Sequence, residues 1–162
     1  MGDIFDRVLN EVVASAQSAI WQRRQSPLYV LMGSEIERAF AATFEFTLRV
    51  AAAPYCLGQA PAQDCGFYLI PQYVVDNYRV DFVMGHSRTK CDERQSVAIE
   101  CDGHEWHEKT KEQAARDKKR DRDLQKRFGA VLHFTGSEIY RDPSQCVADA
   151  LAATGRVMGF GE

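Results

Sequence analysis

Three acids stand in segments that otherwise read as buried strands. Asp81 lies within Tyr78-Arg79-Val80-Asp81-Phe82-Val83, and Glu100 and Asp102 within Val97-Ala98-Ile99-Glu100-Cys101-Asp102. Side chains alternate faces along a strand, so Glu100 and Asp102 point the same way, roughly 7 Å apart along the backbone. Val97, Ile99 and Cys101 take the opposite face. Unpaired carboxylates are costly to bury and normally need a cation or hydrogen bonds. If the two strands pair, Asp81, Glu100 and Asp102 converge on one patch. A hard divalent cation would relieve their repulsion, and oxygen ligands suit Mg²⁺ or Mn²⁺. A metal held this way activates a water and offsets charge on a phosphodiester. Any one of the acids taken singly could instead cap a strand end or pair with an arginine; the three together favour metal.

The elements that must position these acids can be read from periodicity. Ile4 to Trp21 carries apolar residues at helical spacing, an amphipathic N-terminal helix within about 3–24, interrupted at Pro27. A second helix is predicted over Ser34–Val50, with Ile36, Phe40, Phe44 and Leu48 on one stripe. Ser34 followed by Glu37 has the form of a capping box. Pro54–Gly66 reads as a loop. Phe67–Val75 and Arg79–Met84 form a hairpin turning at Asp76-Asn77, and Ser96–Asp102 is a third strand ended by Gly103. Thr110–Phe128 is a long charged helix, with Gly129 in the usual helix-ending position. Ala130–Thr135 is a fourth strand and Pro143–Ala153 a last helix. The order α-α-β-β-β-α-β-α implies an α/β (α+β) fold, a mixed four-stranded sheet flanked by helices.

The chain of 162 residues suits one domain, with its core at about 34–153. No run of about 18 apolar residues occurs, so no membrane span is expected. The N-terminus lacks a basic segment followed by an apolar core, which reads as no signal peptide and a cytoplasmic location. Five cysteines without tight spacing are expected to be reduced thiols there. Cys56, Cys65 and Cys91, with His86, offer an alternative as zinc ligands. The net charge of −3 hides a local bias: from Glu108 to Arg127 there are nine Lys or Arg against five Asp or Glu. Such a face is what a phosphate backbone meets. Lys109, Lys111, Lys118 and Arg120 are the candidate nucleic-acid contacts.

YRVDF at Tyr78–Phe82 and VAIECDGHEWH at Val97–His107 resemble the Vsr-like nuclease domain related to very-short-patch repair endonucleases. So do RDKKRDRDL and GAVLHFTGSEI further on. The likeness spans roughly Ser34–Leu151 and places the chain in the wider PD-(D/E)xK class, with its α-β-β-β-α-β restriction-endonuclease-like core. It implies a metal-dependent nuclease acting on DNA, with Asp81 as the metal-binding acid and Glu100 as the first acid of the (D/E)xK element. That element reads Glu100-Cys101-Asp102 here, so Asp102 replaces the lysine. Its work would pass to Lys118, Arg116 or Arg120, or the chain is a catalytically degenerate nucleic-acid-binding module. Glu37 matches an acid on the first core helix and is read equally as a cap. His107 matches a histidine near the scissile phosphate; alternatively it is structural, or ligates zinc with Cys101 and His104. Trp106 is a core residue or a base-stacking one. Asp117 and Asp121 are read as orienting groups sharing a face with Leu124 and Phe128. A small chain leaves little room for a separate target-reading domain, so the reading is of a non-specific or structure-specific nuclease, or one directed by a targeting partner protein. Cutting both strands with one small active site would call for a homodimer.

Overall fold

The computed structural model describes residues 27–58, 65–103 and 110–159. The N-terminal helix expected at 3–24 lies outside them. A short helix α1 (Pro27–Leu31) leads into α2 (Glu35–Val50). Ser34 opens α2, its side chain accepting the N–H of Glu37 at 3.3 Å. Ile36, Phe40, Phe44 and Leu48 then recur four apart and are all buried. That stripe lies on the sheet, with Phe40 stacked between Phe82 and Phe134 at centroid distances of 5.6 and 5.7 Å. Full burial of one such ring stabilises by about 1.5–3 kcal/mol.

The strands are β1 (Tyr55–Leu57), β2 (Phe67–Val75), β3 (Tyr78–His86), β4 (Val97–Asp102) and β5 (Ala130–Thr135). They lie side by side in chain order. β2–β3–β4 is an antiparallel meander, while β1 pairs parallel to β2 and β5 parallel to β4. The sheet thus has five strands, not the four expected. The extra one, β1, occupies the supposed loop Pro54–Gly66. Three residues are too few to show a period, and only their partners Phe67, Tyr68 and Leu69 make them a strand.

The connection from β4 to β5 runs through α3 (Lys111–Arg127), the crossover that two parallel neighbours require. Thr110 and Gln113 form a full capping box at its start. Its end differs from expectation. Phe128 is extended at φ −95°, and Gly129 is absent from the positive-φ positions. Gly129 is instead needed for space, since a Cβ there would meet Val157 and the Arg94 carbonyl. The tail holds two helices where one was expected, α4 (Gly136–Arg141) and α5 (Pro143–Val157). Thr135 and Glu138 form the capping box that starts α4.

Two apolar layers hold these parts together. On one face Leu69, Phe82, Met84, Val97, Ile99 and Phe134 pack against α2, α4 and α5. On the other, Tyr68, Val83, Ala98 and Val131 meet Leu124 of α3 and Phe128 just after it. The sheet is therefore sandwiched between helices. Among the described residues no helix is long and apolar enough to cross a membrane.

Two cysteines depart from the reduced state expected of them. Cys56 and Cys65 are joined as a disulfide that ties β1 to the start of β2, with Cα atoms 5.8 Å apart. Cys91, Cys101 and Cys146 are free thiols. The chain brings Cys56 and Cys65 together by pairing β1 with β2, and a segment taken for a loop gives no hint of that pairing.

Candidate active site

The β3–β4 ladder pairs Met84 with Val97, Val83 with Ala98 and Phe82 with Ile99. One step further, the same register sets Asp81 across from Glu100, but the backbone ladder stops. The Asp81 carboxylate itself accepts the Cys101 N–H, at 2.7 Å. The other neighbour of β3 is also interrupted here. Pro71 pairs with Phe82 and Tyr73 with Val80, while Gln72 between them has a left-handed φ of 52°. Positive φ is uncommon for a residue with a Cβ and marks a locally constrained backbone. The core layers register the kink: Tyr68 and Ile70 face α3 before it, Tyr73 and Val75 after it. Strand periodicity shifts by one residue, and Asp81 stands at the shift.

Glu100 is 4% exposed and faces α3. From that helix Arg120 donates through Nη2 to Glu100 Oε1 and to the Arg79 carbonyl, both at 2.7 Å. β5 adds a histidine in register with Glu100: His133. Its Nδ1 lies 3.1 Å from Asp102 and its Nε2 3.6 Å from Asp121. From the opposite face comes Glu37, 5% exposed. Its Oε2 accepts the Gly33 N–H at 3.0 Å and the Gln72 side-chain amide at 2.7 Å, while Oε1 accepts the Ser34 hydroxyl at 2.8 Å. Glu37 is thus both part of a helix cap and a member of the acid group, and the cap reaches Gly33 instead of the Ser34 backbone.

These acids influence one another. Burial raises Asp81 above the usual carboxylate range, against the Cys101 hydrogen bond, with Glu37 and Asp102 adding repulsion and Arg120 opposing it. Glu100 is pushed up to about 7, by burial first, with Asp81 adding to the rise and Arg120 resisting it. The Cys101 thiol is raised by its burial and then by Asp81, Glu37, Glu100 and Asp102. His133 is raised chiefly by its hydrogen bond to Asp102. Desolvation outweighs the single guanidinium at Glu100, as expected of an acid buried in low dielectric.

Four carboxylates surround Cys101, and among the described residues Arg120 and His133 stand against them. That donor set consists of oxygens and fits a hard divalent cation in kind, with the facing pair Asp81 and Glu100 as the residues that would hold it. The expected closure of all three on one point is not seen: among the described residues no group of three or more His, Cys, Asp or Glu is disposed to hold a metal ion. Asp81 and Glu100 face each other across the strands, whereas Asp102 sits at the exposed end of β4 and is drawn to His133.

Of the other expected residues, His107, Lys109, His104 and Trp106 lie outside the described residues. Lys111, Lys118 and Arg116 are exposed on α3, and of the three candidates to replace the lysine only Arg120 reaches an acid of the site. Asp121 is half-buried against His133, while Asp117, seven residues before Leu124 and on the same helical stripe, is exposed. The zinc alternative loses Cys56 and Cys65 to their disulfide. Sequence reasoning missed His133 and Gln72. His133 had a signal, a polar residue two along from Val131 in an otherwise apolar strand. Gln72 had none, because its role comes from a backbone angle.

A family model, REase_MTES_1575, a restriction-endonuclease-like family, matches residues 61–153, more than half of the chain. The matched span contains Asp81, Glu100, Asp102, Arg120 and His133, while Glu37 precedes it. No curated protein and no solved structure matches the chain.

Proposed function

Because the chain belongs to the restriction-endonuclease-like family REase_MTES_1575, we propose that it is a metal-dependent endonuclease hydrolysing DNA phosphodiester bonds at Asp81, Glu100 and Asp102. The observation that supports this best is Asp81 opposite the buried Glu100 at the point where β3 and β4 stop pairing. Buried acids with raised pKa values, clustered against each other, are the groups from which functional sites are built. A bound Mg²⁺ or Mn²⁺ would supply an activated water and a counter-charge for the phosphodiester. Hydrolysis forms one P–O bond from water and breaks one ester P–O bond, and the leaving oxygen must gain a proton. His107 is the residue we assign to that transfer, since imidazole carries protons near neutral pH. Lys109, Lys111 and Lys118 are assigned to the phosphate backbone. Glu37 holds Gln72 and adds negative charge beside Asp81, a positioning role. The YRVDF and VAIECDGHEWH segments support a kinship with Vsr-like domains, in a protein that cuts duplexes as a homodimer or with a targeting partner.

The test is DNA cleavage by the purified chain with and without added Mg²⁺. Asp81→Asn and Glu100→Gln should each lower the rate at least about 100-fold, the scale on which a single transition-state contact acts. Their circular dichroism should match that of the original chain. Full activity in both variants would sink the assignment. One observation favours a second reading. Glu100 is already tied to Arg120, and no lysine follows it in the motif, as in a module that binds nucleic acid without cutting it. That reading expects salt-dependent binding and no heat of Mg²⁺ binding in calorimetry.

A further inference from the structure

Among the described residues, Arg120 is the cation of α3 aimed inward at the acids. Its Nη2 sits 2.7 Å from Glu100 Oε1, whose side chain is 6% exposed, and 2.7 Å from the Arg79 carbonyl. One nitrogen therefore bridges two strands, β3 through the Arg79 backbone and β4 through Glu100. The same guanidinium acts electrostatically on Asp81. Lys118 and Arg116 are exposed, and the position two residues after Glu100 is an acid. From these contacts we infer that Arg120 is the resident counter-ion of the site, competing directly with a divalent cation for Glu100 and providing the fixed positive charge that the Glu100-Cys101-Asp102 element lacks.

The competition follows from occupancy. A guanidinium nitrogen and a metal ion want the same carboxylate oxygens, and a planar, permanently charged side chain holds them strongly. Because Arg120 is also anchored on the Arg79 carbonyl, release of Glu100 does not send it into solvent. It stays beside the acids, able to meet a phosphate oxygen. Lysine, with a compact ammonium on a flexible stem, would hold one acceptor at a time and serve less well at this bridge.

This inference rests on the metal-dependent reading of Asp81 and Glu100, and its test separates the two. Mn²⁺ binding is measured by calorimetry on the original chain, Arg120→Met and Arg120→Lys, alongside DNA cleavage. Methionine keeps an apolar stem of similar length for packing on the sheet, so folding can be preserved while the charge goes. Arg120→Met should bind Mn²⁺ about tenfold more tightly or better, since a competing charge at ion-pair distance has been removed. Its cleavage rate should fall at least about 100-fold through kcat, the reverse of what tighter metal binding alone would give. Arg120→Lys should lie between on both measures. A purely structural role moves affinity and rate the same way. Unchanged, weaker or undetectable Mn²⁺ binding in folded Arg120→Met overturns the proposal. Should Arg120→Met bind Mn²⁺ more tightly while the original chain cuts no DNA, the counter-ion role stands and the nuclease reading falls.

Discussion

At the scale of single residues, the acids govern how the protein answers pH. Glu100 moves from an ordinary 4.5 up to about 7 in the fold, with Asp81 shifted the same way. Between about pH 4.5 and 7 the folded chain binds more protons than the unfolded one, so stability falls as pH rises through that window. His133 adds to the trend. Its raised pKa contributes stability that is complete below 6.5 and lost as pH climbs through its folded value. In buffer free of divalent ions, the melting temperature should therefore be higher at about pH 6 than at about pH 8. With Mg²⁺ present that difference should shrink, because metal affinity grows as Glu100 sheds its proton. Glu100→Gln should flatten the metal-free profile; a melting temperature that instead rises over the same interval would contradict the buried-acid account. The meeting of Asp81 and Glu100 was legible in the sequence because charge among Val, Ile and Phe is costly and so conspicuous, whereas the turn of Asp102 toward His133 was not. Arg120 was one of several equivalent cations in a charged run, and only the fold singles it out. Gln72 and His133 acquire their parts from a left-handed turn and from a strand register, which no local pattern records.

At the scale of elements, α3 faces two environments. Leu124 and Phe128 lock it to the sheet, while Lys111, Lys118 and Arg122 fall on the outward side, where helical periodicity places residues four and seven apart in line. None of those three forms an ion pair with a described residue. On the flanks, Asp123 takes Lys126 and Asp121 meets His133. Exposed cations in a row, without acidic partners, are suited to a phosphate backbone. The double variant Lys118→Ala, Arg122→Ala should weaken DNA binding at low salt for all sequences alike. It should also reduce the slope of log K against log salt by about 2, one for each phosphate no longer neutralised. An unaltered slope would move the nucleic acid to another face. The long elements were legible for the same reason α3 was: α2, the β2–β3 hairpin, β4, α3 and β5 each repeat a period often enough to declare it. β1 and α4 were not. Three residues of β1 and six of α4 carry too few repeats, and both depend on neighbours outside themselves, β2 for the first and the β5 end for the second.

At the scale of the whole molecule, the sheet is polarised. Its chemistry gathers between β3, β4 and β5, while the opposite edge is closed by β1 and the Cys56–Cys65 disulfide. β1 has three residues, pairs with β2 alone among the described strands, and is half-buried throughout. So short an edge strand gains little from its own hydrogen bonds, and the covalent link compensates by restricting the unfolded chain. A bridge across nine residues is worth about 2–3 kcal/mol by loop-closure entropy. The chain should accordingly lose about that much stability under a thiol reductant, or in the variant Cys56→Ser, Cys65→Ser, as read from urea denaturation. Cleavage measured well below the melting temperature should be unaffected, because β2 and β3 separate the bridge from Glu100. A reductant that abolished cleavage without unfolding the protein would show that the edge and the acids communicate, and would place the bridge within the site's supporting structure. Equal stability with and without the reductant would mean that β1 is held by its apolar contacts with α2, where Phe44 meets Tyr55 edge-on at 6.0 Å, and that the two sulfurs add nothing to them.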